Sequence, residues 1–276
     1  MFTSVLFDDI NKDAFDVLKD GYCFDQKATL KYSRCGCNMS LEGKNLTSAL
    51  TGKISVDFKP HKYLNIKKMS LENDGNAVCD VDMPNLVKGT TLMLRTQADA
   101  STYALKKMTC GMKYLSNSFA MDFNYDLLAK KMSTSGVFAR SSMMAGAKLT
   151  RTKEGENNID LAAACMCRKV VLSVASYSNF SGVNMALYTK CRKNVKLGAT
   201  CKLPLDVMKP QLAFGVWIQP SATSEFRTKV DAEGRLAVFY KTQLAKNVAV
   251  SATGSTDFHD MVKGNHKVGI AMEVRL

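Results

Sequence analysis

No stretch of 18 or more apolar residues occurs in this 276-residue chain, so it holds no membrane-spanning helix. Its first residues, MFTSVLFDDINKD, lack a basic region followed by a long apolar run, so no secretory signal is expected. Their acidic residues argue against a transit peptide. Proline is scarce, at five, and no segment has a disordered composition. There are three histidines, His61, His259 and His266, and no CxxC pair among nine cysteines, which leaves zinc little support. Cys35/Cys37 and Cys165/Cys167 are CxC pairs, which in a strand would place both thiols on one face. A metal or redox site is one reading of them; reduced thiols serving as small apolar side chains is the other. No nucleophile elbow, glycine-rich phosphate loop or histidine–carboxylate motif is visible. The chain reads as a non-enzyme without cofactor or metal.

Basic residues and alternation are what the chain has. Lys and Arg number 38 against 25 Asp and Glu, a net charge of +13, which favours anionic partners. From about residue 26 the hydrophobic period is two. KATLKYS sets Ala28, Leu30 and Tyr32 against Lys27, Thr29 and Lys31. KISVDFK, FAMDFNYD, VNMALYTK, VKLGATCKL, FRTKVD and LAVFYKTQL repeat the alternation, and the closing GNHKVGIAMEVRL sets Val268, Ile270, Met272, Val274 and Leu276 against Gly269, Ala271, Glu273 and Arg275. Turn-like clusters such as ENDG (72–75), LSNS (115–118), DAEG (231–234) and KGN (263–265) separate the runs. The first twenty residues differ. Leu6, Ile10, Ala14, Val17 and Leu18 fall at helical spacing, with Ser4 as a candidate cap and Gly21 past the end; a surface helix fits the pattern as well.

The charged set decides between two architectures. Out of phase with the apolar residues stand Lys27, Lys31, Lys53, Lys59, Arg95, Lys113, Lys148, Lys190, Lys196, Lys202, Arg227, Lys229, Lys241 and Arg275, against the acidic Asp57, Asp122, Asp126, Asp231 and Glu273. A basic side chain facing mid-bilayer lipid costs roughly 2–4 kcal/mol, so this face meets water. In a soluble barrel it would lie outside. At about 13 residues per strand and turn, residues 25–276 give about 19 strands, and closing them makes a barrel roughly 40 Å across, too wide for side chains to fill. The expected fold is therefore an all-β, 19-stranded transmembrane barrel, lined by the charges and greasy outside. It comprises an N-terminal helix and hinge (1–24) and a barrel (25–276). A soluble basic β-protein binding nucleic acid would need aromatics beside its basic residues, but Phe and Tyr fall mostly on the apolar face, so no nucleic acid is expected.

The stretch ATSEFRTKVDAEGRLAVFYKTQL… ending in GNHKVGIAMEV closely resembles the C-terminal end of mitochondrial porins, the voltage-dependent anion channels, and AFDVLKDGYCF resembles their helix-to-strand junction. The middle, roughly 60–210, resembles them in pattern only. The resemblance implies 19 strands, an N-terminal helix lying in the pore, and a location in the mitochondrial outer membrane. Residues Lys267–Val274 resemble the sorting signal of mitochondrial barrels. The implied function is passive, weakly anion-selective and voltage-gated diffusion of chloride, ATP, ADP, phosphate and organic acids. Outer-membrane lipids, further copies of the chain and other outer-membrane proteins are the expected partners. With the helix inside, Lys12 and Lys19 become its nearest cations, and Asp13 and Asp16 face wall lysines. A nucleotide-contact region would fall on Arg235, Leu236 and Ala237 and on Thr253, Gly254, Ser255, Thr256 and Asp257. Three departures stand out: Cys23 and Asp25 replace glycines of the hinge, which stiffens it; Asp20 replaces a basic residue; and Gly89-Thr90-Thr91 stands where the family has Gly-Leu-Lys. A protein-import pore of the same superfamily is the nearest rival, disfavoured because cationic presequences call for acidic walls.

Overall fold

The computed structural model describes residues 4–46, 49–258 and 266–276. The expected turn at 263–265 lies outside them. Among the described residues, one 3-10 turn (Phe7–Asp9) and helix α1 (Lys12–Lys19) are followed only by strands and their turns. The first ten are β1 (Gln26–Arg34), β2 (Cys37–Leu46), β3 (Ala49–His61), β4 (Leu64–Glu72), β5 (Asn76–Pro84), β6 (Thr90–Asp99), β7 (Ala104–Leu115), β8 (Phe119–Asp126), β9 (Lys131–Arg140) and β10 (Met143–Arg151). The rest are β11 (Asn157–Cys167), β12 (Val170–Tyr177), β13 (Gly182–Arg192), β14 (Val195–Pro204), β15 (Gln211–Ser221), β16 (Ser224–Asp231), β17 (Arg235–Ala245), β18 (Val248–Asp257) and β19 (Lys267–Arg275). Each strand pairs antiparallel with the next. With 19 strands running up and down, the first and last point the same way, so closure must be parallel. Gln26 to Lys31 of β1 register with Ile270 to Arg275 of β19, and the sheet is a closed barrel. No described helix is long and apolar enough to cross a membrane, and closure alone removes the unpaired edges that lipid forbids.

The pleat sorts the side chains as the alternation foretold. Phe138, Leu161 and Ile270 are 55%, 48% and 55% exposed on the outer face. Their neighbours in sequence point inward, and there Ala120, Val137, Ala139, Ala162 and Ala164 are buried with Phe7 and Ile10 in one apolar cluster. The core of this protein is thus inside the pore, between wall and N-terminal segment. Farther along, α1 packs on β13–β16, burying Ala14, Val17 and Leu18 at spacing i, i+3, i+4.

The N-terminal segment departs from the expected single helix. It breaks at Asn11 (φ −99°, ψ 2°), because its halves pack on separate strands of a curved wall, the 3-10 turn on β9 and β10 and α1 on β13–β16. Ser4 caps nothing: its N–H donates to the Asn117 carbonyl at 3.1 Å and its hydroxyl to that of Ser116, tying the chain to the β7–β8 turn. Gly21 does end the helix as expected, at φ +85°, a conformation that disfavours side chains. The CxC pairs separate. Cys35 occupies a turn with Gly36, both at positive φ, whereas Cys165 and Cys167 share the outer face of β11 with sulfurs 3.8 Å apart. All nine cysteines are free.

Candidate pore lining and the helix seat

Three wall glycines make room for the N-terminal segment. A Cβ on Gly198 would stand 3.0 Å from the Ala14 carbonyl oxygen and 3.1 Å from Val17 Cβ. One on Gly215 would stand 2.7 Å from Leu18, and one on Gly146 3.2 Å from the Phe7 ring. Fully burying each large apolar side chain is worth about 1.5–3 kcal/mol, so the trough holds the helix mainly by apolar contact. Gly198→Val fits a strand but meets helix backbone, which cannot give as a side-chain tip can. We expect it to weaken docking by about 1–3 kcal/mol, read as faster amide exchange over residues 12–19; Gly43→Val, whose added Cβ meets nothing within 4 Å, should leave exchange there unchanged.

At the C-terminal end of α1 one arginine completes the seat. Arg227 Nη1 donates to the carbonyls of Asp16 and Asp20, 3.0 Å each, satisfying acceptors that a helix end leaves open. The guanidinium also pairs with Glu225 and lies 5.9 Å from the Phe239 ring, and Glu225 accepts from Trp217 Nε1 at 2.6 Å. Tyr22 stacks at a tilt on Phe239, 6.2 Å between centroids, and burial pushes its hydroxyl up to about 12. Burial, then the Asp20 carboxylate, raises Asp16. A group whose docked value is raised favours docking while it holds its proton. Docking should therefore weaken as pH climbs from about 10 to about 12 through Tyr22. Acrylamide quenching of Trp217, the sole tryptophan, should rise across that window, and Tyr22→Phe should abolish the rise.

The lining cations fall into two groups. Around β19 and β1–β4 they are neutralised. Lys27 and Lys44 hold Glu42 at 2.8 and 3.3 Å, Lys53 holds Glu72, and Lys31, Arg275 and Lys241 hold Glu273 at 3.0, 2.9 and 3.6 Å. Lys148 takes Asp8 of the N-terminal segment at 2.7 Å. Among the described residues Arg95, Lys113, Lys190, Lys196, Lys202 and Lys229 form no ion pair. Lys196, Lys202 and Lys229 lie over the rings of Trp217, Tyr177 and Tyr22, at 4.4, 4.9 and 4.8 Å, which spends no charge. Lys190, Lys196, Lys202 and Lys229 sit on β13, β14 and β16, beside α1. Lys59 lies past a register shift near the end of β3, exposed.

On the helix, Lys12 and Lys19 are exposed to the lumen, Lys12 pairing with Asp9 at 3.4 Å and Lys19 over its own Phe15 at 4.7 Å. Asp13 and Asp16 form no ion pair among the described residues; the helix-to-wall pairs use Asp8 and Asp20 instead, Asp20 at 4.0 Å from Arg227. The fold does bring together the two stretches on which the resemblance puts nucleotide contact, Arg235 opposite Asp257 and Ala237 opposite Ser255. Arg235, Ala237, Thr253, Ser255 and Asp257 face inward; Leu236, Gly254 and Thr256 face out. Arg235, the one cation among them, is held by Glu233 at 2.9 Å and Asp257 at 3.6 Å, so a phosphate there competes with two carboxylates.

Sequence reasoning missed the carboxylate partners Glu42, Glu72 and Glu225 and the seat glycines. Two of those acids carry a visible sign, a base two residues away on the same face: Glu42 with Lys44 and Glu225 with Arg227.

The sequence profile of the eukaryotic porin family matches residues 4–269. No curated protein matches. Among solved structures the chain is similar to in-vitro folded OmpT, an outer-membrane protein of Vibrio cholerae, with 9% identity, 81% of this chain and 87% of that one covered, and a TM-score of 0.36. It is similar also to the loop L8 deletion mutant of OmpT, with 9% identity, 84% and 90% covered and a TM-score of 0.34. At these scores nothing about strand number or closure transfers from them. A closed barrel with a charged lumen and a greasy belt is a channel-type, outer-membrane architecture, and the profile spans nearly all of it: the chain belongs to the eukaryotic porin family.

Proposed function

We propose that this porin is a passive, weakly anion-selective pathway for chloride, phosphate, organic acids, ATP and ADP across the mitochondrial outer membrane, and that it is voltage-gated. The observation that carries the reading is the group of wall cations without carboxylate partners beside α1. Screening sets the selectivity. The Debye length is about 8 Å at physiological ionic strength, shorter than the radius of so wide a barrel, so monovalent ions are sorted weakly. A polyanion such as ATP meets several of these cations at once and is favoured more.

Planar-bilayer recording under a KCl gradient with added ATP tests this. Large conductance, a reversal potential mildly on the chloride side and partial block by ATP are expected. Cation preference with block by a presequence peptide would replace the reading with an import pore. The combined Lys113→Gln, Lys190→Gln, Lys196→Gln and Lys202→Gln variant should move the reversal potential toward potassium and remove the ATP block. Lys148 is left intact, since its loss would also free Asp8.

A further inference from the structure

The two rims of the barrel differ in charge. Nine turns that follow odd-numbered strands lie at the end where Ser4 is tethered. Across all nine, and in the strand residue on either side of each, no Asp or Glu side chain occurs. The opposite rim is mixed, with Asp74, Glu154, Glu156, Asp206 and Glu233 in its turns beside Lys130, Lys153 and Lys209. The acid-free rim is densest where three neighbouring turns, β9–β10, β11–β12 and β13–β14, bring together Arg140, Arg168, Lys169, Arg192 and Lys193. All five are exposed, and among the described residues none of their side chains takes part in an ion pair or hydrogen bond.

We propose that this arc binds the phosphate of anionic phospholipid head groups in the adjoining leaflet. Two observations favour a lipid over a soluble anion. Arg140 lies on the outer face of β9, two residues beyond the 55%-exposed Phe138 and paired with the 64%-exposed Met143, so its charge follows directly on the lipid-facing belt. The arc also sits at the ends of membrane-spanning strands, the depth of the head groups. On the lumen side Lys169, Arg192 and Lys193 share a cavity of ≈590 Å³ with Asp9 and Asp13. These are the competing anions of that cavity, and Asp9 is already paired with Lys12.

The test uses the full chain in phosphatidylcholine vesicles doped with phosphatidylglycerol, and photoactivatable analogues of each lipid. Adducts are mapped to the three turns. A basic side chain near an anionic surface favours it by about fivefold, and that excess of phosphatidylglycerol adducts is expected. It should fall to near one in the Arg140→Gln/Arg168→Gln/Lys169→Gln variant and persist when Lys130, Lys131 and Lys153 at the other rim are neutralised. Wild-type protein supplies a check independent of variant folding, since the excess must shrink as KCl is raised. Equal adducts of both lipids, a salt-independent excess, or a loss shared by the other-rim variant would overturn the proposal. So would an unchanged lipid excess combined with loss of block by inorganic phosphate or ATP in the arc variant, which would assign the arc to soluble phosphates.

Discussion

Arg227→Ala should release α1 from the wall while leaving the barrel closed. The change removes two charge-assisted hydrogen bonds to the carbonyls of Asp16 and Asp20 and strips Glu225 of its cation. It also opens the pocket beside Phe239. Hydrogen bonds to charged groups contribute about 1.5–3 kcal/mol each, and partial solvent access puts the total loss near 2–4 kcal/mol. That is roughly a 30- to 1000-fold rise in the population of the undocked helix. Amide exchange over residues 12–19 should accelerate by a comparable factor, with strand protection unchanged. Trp217 emission should shift as well, since Trp217 Nε1 still donates to a Glu225 that has lost its other partner. Arg227→Lys separates charge from geometry: a single ammonium nitrogen restores the pair with Glu225 but lacks the guanidinium's second nitrogen, which holds the two carbonyls while Nε holds Glu225, so only part of the protection should return. If Arg227→Ala leaves exchange at 12–19 untouched, the apolar trough holds the helix alone.

How much of this was legible beforehand follows from the physics of each element. Strand number and sidedness could be read because lipid outside and water inside impose a strict period of two, and a basic residue on the wrong face is expensive. Gly21 was readable for a related reason: few residues accept its backbone angles. The break at Asn11 was not, because it answers to the curvature of a wall assembled from strands more than a hundred residues away. The charge balance was misjudged for the same reason. Glu72 pairs with Lys53 across β3 and β4, and Asp8 of the 3-10 turn with Lys148 of the β10 wall beneath it; counting cations along single strands overstates the free positive charge. Gly198, Gly215 and Gly146 carry no such mark in the sequence, yet they are the surface on which the N-terminal segment rests.

Glu273 holds together both the charge balance and the closure of the barrel. It stands on β19 with Arg275, reaches Lys31 on β1 across the parallel closing pair, and reaches Lys241 on β17 beyond β18. Glu273→Gln removes one negative charge and leaves three cations facing one another. Two effects follow together. The reversal potential in a KCl gradient should move toward chloride, and ATP should gain a site on the side of the lumen away from α1. The closing pair should loosen as well, because each half-exposed ion pair is worth up to about 1 kcal/mol and the attraction gives way to repulsion; amides of 26–31 and 270–275 should lose protection ahead of the other strands. Lys31→Gln supplies the sign test. It also breaks a contact across the closure, but it subtracts a positive charge and leaves Glu273 with Lys241 and Arg275. Its reversal potential should move toward potassium and its closing pair should hold. Matching shifts in the two variants would mean that disturbance of the β1–β19 closure, rather than lumen charge, sets selectivity there.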